Sequence, residues 1–95
     1  MLPGSQDDNL KSELKALIIE ACEKEIDPTD LDDKDTLVGF GSKLGLDSLD
    51  VLQVNVEIAN RYGKRIEDSK HARRVMKTIN TLADFIQPGE ADARS

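Results

Sequence analysis

From Leu10 the apolar residues fall at Leu10, Leu14, Leu17, Ile18, Ala21 and Cys22, the three-and-four spacing of a helix that buries one stripe. Asp7, Asp8 and Asn9 precede it as capping residues suited to the positive end of a helix dipole. This first helix is expected to run to about Ile26, because Pro28 disfavours helical geometry at Asp27. Between Asp27 and Leu46 the pattern dissolves into Asp and Gly with scattered Leu31, Leu37, Val38, Phe40, Leu44 and Leu46, which predicts a long loop laid over a core. Helical spacing returns at Leu49, Leu52, Val56 and Ala59, with Val51, Val54, Ile58 and Tyr62 alongside, and Gly63 stands ready as a C-terminal cap. Ser69 is expected to cap a short basic segment reaching Met76. Thr78 or Thr81 then opens a last helix carrying Ile79, Leu82, Phe85 and Ile86 before Pro88. Nothing alternates with period two. The expected fold is all-α, a small four-helix bundle with three principal helices, one short one and a long first loop. The domain is placed at residues 10–87, with residues 1–9 and 88–95 as flexible ends.

Composition narrows the chemistry. Of 95 residues, 38% are hydrophobic and 34% charged, enough spaced Leu, Ile and Val for one small core. The longest apolar run, Ala16 to Ile19, is far short of the roughly 20 residues of a membrane span. No secretory signal is read in the acidic start, so a cytoplasmic monomer is expected. One cysteine gives no internal disulfide, and one cysteine with one histidine leaves no four-ligand zinc set and little for triad catalysis. The net charge of -6 conceals a division: residues 1–50 hold 5 Lys+Arg against 13 Asp+Glu, whereas residues 51–95 hold 8 against 6. Arg61 to Lys77 carries seven basic residues against Glu67 and Asp68. A bipolar field of this kind steers encounters with charged partners.

The most informative segment is Leu44-Gly45-Leu46-Asp47-Ser48-Leu49, a serine at the mouth of a helix directly after a glycine turn. The unpaired N–H groups and the dipole at a helix N-terminus favour an anion attached there, a phosphate above all. Asp47 and Asp50 are acids beside the same terminus. The plainer reading makes Ser48 the N-cap and Asp47 a turn residue.

Over residues 10–86 the chain resembles the acyl carrier protein family. Asp47-Ser48-Leu49 matches the family's attachment motif, preceded by Leu44-Gly45, by Phe40 at a buried aromatic position and by a helix with a long acidic loop. It is followed by Asp50, an apolar helix to Tyr62, Ile66, Thr78-Ile79 and Phe85-Ile86. The resemblance implies a non-catalytic carrier of acyl groups, held as thioesters on a 4'-phosphopantetheine arm bound to Ser48. The implied partners are a phosphopantetheinyl transferase, whose complex holds the Mg2+, and acyl-loading, ketosynthase or acyltransferase enzymes of fatty-acid, lipid or polyketide-type biosynthesis. The candidate acyl pocket comprises Leu52, Val54, Val56, Ile58, Ile66, Val75, Met76 and Ile79.

Departures from the family pattern are equally specific. Its acidic second helix is reduced here to Asp50 and Glu57, with Gln53, Ala59, Asn60 and Arg61 at acidic positions. The following segment, Lys70 to Lys77, is basic. Asp50, Glu57, Arg61, Arg73 and Arg74 are therefore the candidate recognition residues of a specialised carrier with dedicated partners. A carrier of aminoacyl or peptidyl groups shares the attachment motif, and a helical interaction module without prosthetic group is the competing class.

The aspartates at 27, 30, 32, 33 and 35 lack the glycine and glutamate spacing of an EF-hand loop. Three aromatics, Phe40, Tyr62 and Phe85, give no stacking platform for nucleic acid, though the basic patch suits transient contact with a membrane surface. Cys22 reads as a small buried hydrophobe and His71 as a surface residue.

Overall fold

The computed structural model describes residues 2–39 and 41–88, with the side chain of Ser69 left aside. Phe40, for which a buried position is expected, and most of the C-terminal tail lie outside the described residues. Four α-helices follow in order: α1 (Asp8–Ala21), α2 (Ser48–Tyr62), α3 (Ser69–Val75) and α4 (Ile79–Ile86). Helix α1 packs against α2 and α4, and α3 against α4. No strand forms among the described residues; a single parallel bridge joins Val38 to Leu46.

The core is the expected apolar set. Leu14, Ile18, Val54, Ile58, Met76, Ile79 and Leu82 are fully enclosed, and the loop contributes Leu31, Leu37, Leu44 and Leu46. Burying each of these leucines removes apolar surface worth about 1.5–3 kcal/mol, which is what holds a segment with little regular structure on the bundle. Polar anchors add to it: Asp33 in the loop receives Lys11 Nζ at 2.7 Å and Lys15 Nζ at 2.8 Å from α1, and its carbonyl accepts the N–H of Asn80 on α4. Against the desolvation that partial burial imposes, these ammonium hydrogen bonds hold the Asp33 carboxyl below its ordinary pKa, and the same bond raises that of Lys11.

Three details of the sequence expectation change. Helix α1 ends at Ala21, several residues before Ile26, because Glu23 adopts a left-handed φ of 52°. The N–H groups of Glu23 and Lys24 turn back to the carbonyls of Glu20 and Ile19, a Schellman closure made without glycine. Helix α3 is capped by Asp68, whose side chain accepts the N–H of His71; Ser69 is its first residue. Both candidate threonines serve α4 together, Thr78 as N-cap and Thr81 as its capping-box partner.

Residues 2–7, expected to be loose, are seated on α4. Gly4 donates its N–H to Gln87 O at 2.6 Å, Ser5 N–H reaches Asp84 Oδ1 at 2.8 Å, and Gln87 Nε2 donates to Leu2 O and Asp7 Oδ2. Gly4 is buried so closely against Ala83 that a Cβ would overlap that residue's carbonyl. Hydrogen bonds from the Leu10 N–H and from Gln87 depress the Asp7 carboxyl pKa as well.

Candidate functional site

The loop delivers the chain to α2 through a small backbone knot. Gly39 N–H donates to Leu46 O and Leu46 N–H to Leu37 O, while Ser42 Oγ donates to the carbonyls of Leu37 and Gly39 and accepts the N–H of Gly45. Gly45, at a φ of 56°, makes the turn that a β-carbon would strain. Leu37 is further tied by its N–H to the carbonyl of Lys77, in the turn between α3 and α4. The knot thus fixes where α2 begins.

Asp47, and not Ser48, is the N-cap. Its Oδ1 accepts the N–H of Asp50 at 2.9 Å, and Asp50 Oδ2 accepts the N–H of Asp47 at 3.2 Å, closing a capping box between two aspartates. Ser48 is therefore the first residue of the helix, exposed, with its hydroxyl committed to no partner among the described residues. Leu49 beside it is 75% exposed. The arrangement supplies a hydroxyl free to react, next to backbone N–H groups and the dipole end that favour a phosphate.

Asp50 is held from two directions. Lys24 Nζ lies 3.5 Å from its Oδ2, and the Cys22 thiol approaches its backbone carbonyl at 3.7 Å. Desolvation, reinforced by the charge of Asp50, pushes the Cys22 thiol up to about 11. Cys22 is half-buried at the C-cap of α1, so it is a closing residue of that helix whose thiol keeps its proton to higher pH than a free cysteine does.

Below Ser48 opens a cavity of about 730 Å³ between the loop, the exposed flank of α2 and the segment from Ile66 to Arg73. Of the candidate pocket residues only Leu52 and Ile66 line it. Val54, Ile58, Val75, Met76 and Ile79 are consumed by the core, and Val56, 47% exposed, is not part of the lining. Lining residues absent from the candidate pocket are Val51 and Asn55, one and two turns after Ser48 on its own face of the helix, with Val38 and Leu46 from the loop. Helical spacing from Ser48 identifies Val51 and Asn55; no sequence signal identifies the loop residues, which meet the helix only through the fold.

The candidate recognition residues do not form one surface. Asp50 is engaged in the capping box, whereas Glu57 and Arg61 border a smaller cleft between α1 and α2 with Glu20 and Glu23. Arg73 and Arg74 are exposed on α3, Arg73 at the edge of the cavity. His71, expected at the surface, is half-buried: its ring meets Phe85 edge to face at 5.4 Å, and its Nδ1 accepts the N–H of Glu67 at a long 3.5 Å.

A family model described as "phosphopantetheine attachment site" matches residues 12–86, which include the whole of α2 through α4 and the loop before them. No curated protein matches the chain.

Proposed function

The chain belongs to the phosphopantetheine attachment family, a family of carriers on which 4'-phosphopantetheine is covalently bound, and from that premise we propose that it carries acyl groups on an arm attached at Ser48. The observation that carries the assignment to this residue is the exposed, uncommitted hydroxyl at the first position of α2, with the capping task taken by Asp47 and Asp50. The residues present suit the group: a phosphodiester on Ser48 stands at the positive end of the α2 dipole, and Val51, Leu52 and Ile66 offer apolar surface within the adjoining cavity.

In the proposed loading step the Ser48 hydroxyl oxygen attacks the phosphorus of the coenzyme A pyrophosphate that bears pantetheine. The Ser48–phosphorus bond forms, the bond to the bridging oxygen breaks, and adenosine 3',5'-bisphosphate leaves. The serine proton passes to a base of the transferase, where Mg2+ neutralises the pyrophosphate. The bound arm supplies a terminal thiol that holds an acyl group as a thioester. Asp47 and the glycine-bearing knot fix the direction in which Ser48 presents its hydroxyl, and Leu49, standing out beside it, is available for contact with the transferase.

We assign partner recognition to the basic face of α3, where Lys70, Arg73 and Arg74 are exposed. An acidic patch on a dedicated acyltransferase or synthase complements this face, and complementarity of charge sets association rate and excludes wrong partners. The reading is tested by intact mass before and after incubation with coenzyme A, Mg2+ and a broad-specificity phosphopantetheinyl transferase. One phosphopantetheine gained by the wild type and none by Ser48→Ala is the expected result; an equal gain by the alanine variant overturns the assignment.

A further inference from the structure

The cavity beside Ser48 is apolar along most of its wall, yet Asn55 is among the residues that line it. Asn55 Oδ1 has neither solvent access nor a hydrogen-bond partner among the described residues, so it is turned away from the open space of the cavity and into the packed side of its wall. An enclosed amide oxygen without a donor carries the full cost of its desolvation, and an aliphatic residue would line the same wall without that cost. A half-turn of the terminal torsion exchanges the oxygen with the amide nitrogen, so the group can present either an acceptor or donors to a chain entering the cavity. Asn55 lies seven residues beyond Ser48 on the same helix face, about 10 Å along the axis at 1.5 Å per residue, within the span of a chain tethered at Ser48.

Resting on the reading of Ser48 as the attachment point, we propose that Asn55 is a specificity residue. It hydrogen-bonds an amide or hydroxyl group within the chain borne on Ser48 and so disfavours a plain alkyl chain in this cavity. The complementary group comes either from the amides of the arm itself or from a polar substituent of the acyl cargo. A site built to pair a hydrogen-bonding group discriminates against the chain that lacks it, because its own polar group is then left unpaired.

The experiment follows the Asn55 side-chain NH2 signals by 1H–15N NMR in four forms of the full chain: unmodified, holo, octanoyl-loaded and 3-hydroxyoctanoyl-loaded, the last two made by transfer from the corresponding acyl-coenzyme A. Intact mass is recorded for each. A displacement on going from unmodified to holo identifies the amides of the arm as the partner, and one appearing only with the 3-hydroxyoctanoyl chain identifies the cargo. Signals that stay in place in both overturn the proposal while leaving carriage intact, whereas failure of every form to gain mass removes the reading of Ser48 and this inference with it. Where the displacement appears only with the 3-hydroxyoctanoyl chain, the wild type should also protect the 3-hydroxyoctanoyl thioester from hydrolysis about 2- to 10-fold better than the octanoyl thioester, the worth of one hydrogen bond, and Asn55→Leu should erase the preference. An equal preference in Asn55→Leu refutes the role of Asn55.

Discussion

Removing the hydroxyl of Ser48 and removing the carboxylate of Asp47 separate two tasks that adjoin in the chain. Were Ser48 the N-cap, alanine there would cost about 0.5–2 kcal/mol of stability. In the structure its hydroxyl bonds nothing among the described residues, and the N-terminus of α2 is closed by Asp47 Oδ1 on the Asp50 N–H at 2.9 Å. Ser48→Ala should therefore lose no cap, and alanine's better helix propensity returns about half a kcal/mol. Asp47→Ala removes one arm of the capping box and should lose about 1–2 kcal/mol. At about 4–8 °C per kcal/mol for a domain near this size, the alanine at 48 should melt within a few degrees of the wild type, on the high side, and the alanine at 47 about 4–16 °C lower. Thermal unfolding followed by circular dichroism reads both, and mass spectrometry after transferase treatment should show the arm on Asp47→Ala, gained more slowly than by the wild type because the serine is less firmly presented, and never on Ser48→Ala. A Ser48→Ala variant destabilised as much as Asp47→Ala would refute the assignment of the cap, and with it the argument that the serine is kept free for chemistry.

Gly4→Ala forces a methyl into the carbonyl of Ala83, so the N-terminal turn should lift from α4, and amide exchange at Ser5, whose N–H is held by Asp84, should accelerate about tenfold or more; unchanged protection would show that the segment is not seated there. Asp33 has its pKa lowered from 3.8 in the fold and Lys11 has its raised from 10.5. The Asp33 contribution is therefore present above pH 3.8 and lost as pH falls through the folded value, while that of Lys11 is present below 10.5 and lost as pH rises through its own. Urea midpoints of wild type and Asp33→Asn should accordingly converge at the acid end and differ most at neutral pH; a constant difference down to pH 2 would contradict the linkage. With its thiol raised to about 11, Cys22 should react with iodoacetamide at pH 8 at least tenfold more slowly than glutathione, and equal rates would mean that α1 does not hold it. Reversing Arg73 and Arg74 to Glu should slow association with an acidic partner at low salt without unfolding the domain; a rate unaltered by the reversal would make the basic face of α3 a bystander.

Sequence by itself determined the all-helical class, the apolar faces of α1, α2 and α4 and the serine at the mouth of α2, because each is written in a local period or a short motif whose physics extends over one or two turns. It was less reliable wherever a residue had a choice of partners. Pro28 marks the latest residue at which α1 can end, yet the Schellman closure at Glu23 ends it earlier through backbone hydrogen bonds that no side-chain pattern encodes. Asp47 and Ser48 are both good caps by type, and only the register set by the loop knot gave the task to Asp47. Apolar residues of α2 look alike in sequence. Packing against α1 decided that Val54 and Ile58 fill the core while Val51 and Leu52 face the cavity, since the side of a helix that is covered depends on neighbours distant in the chain. For the same reason the seating of Gly4 on Ala83 and the pairing of Lys11 and Lys15 with Asp33 belong to the tertiary structure alone: each joins residues whose proximity exists only after the chain has closed on itself.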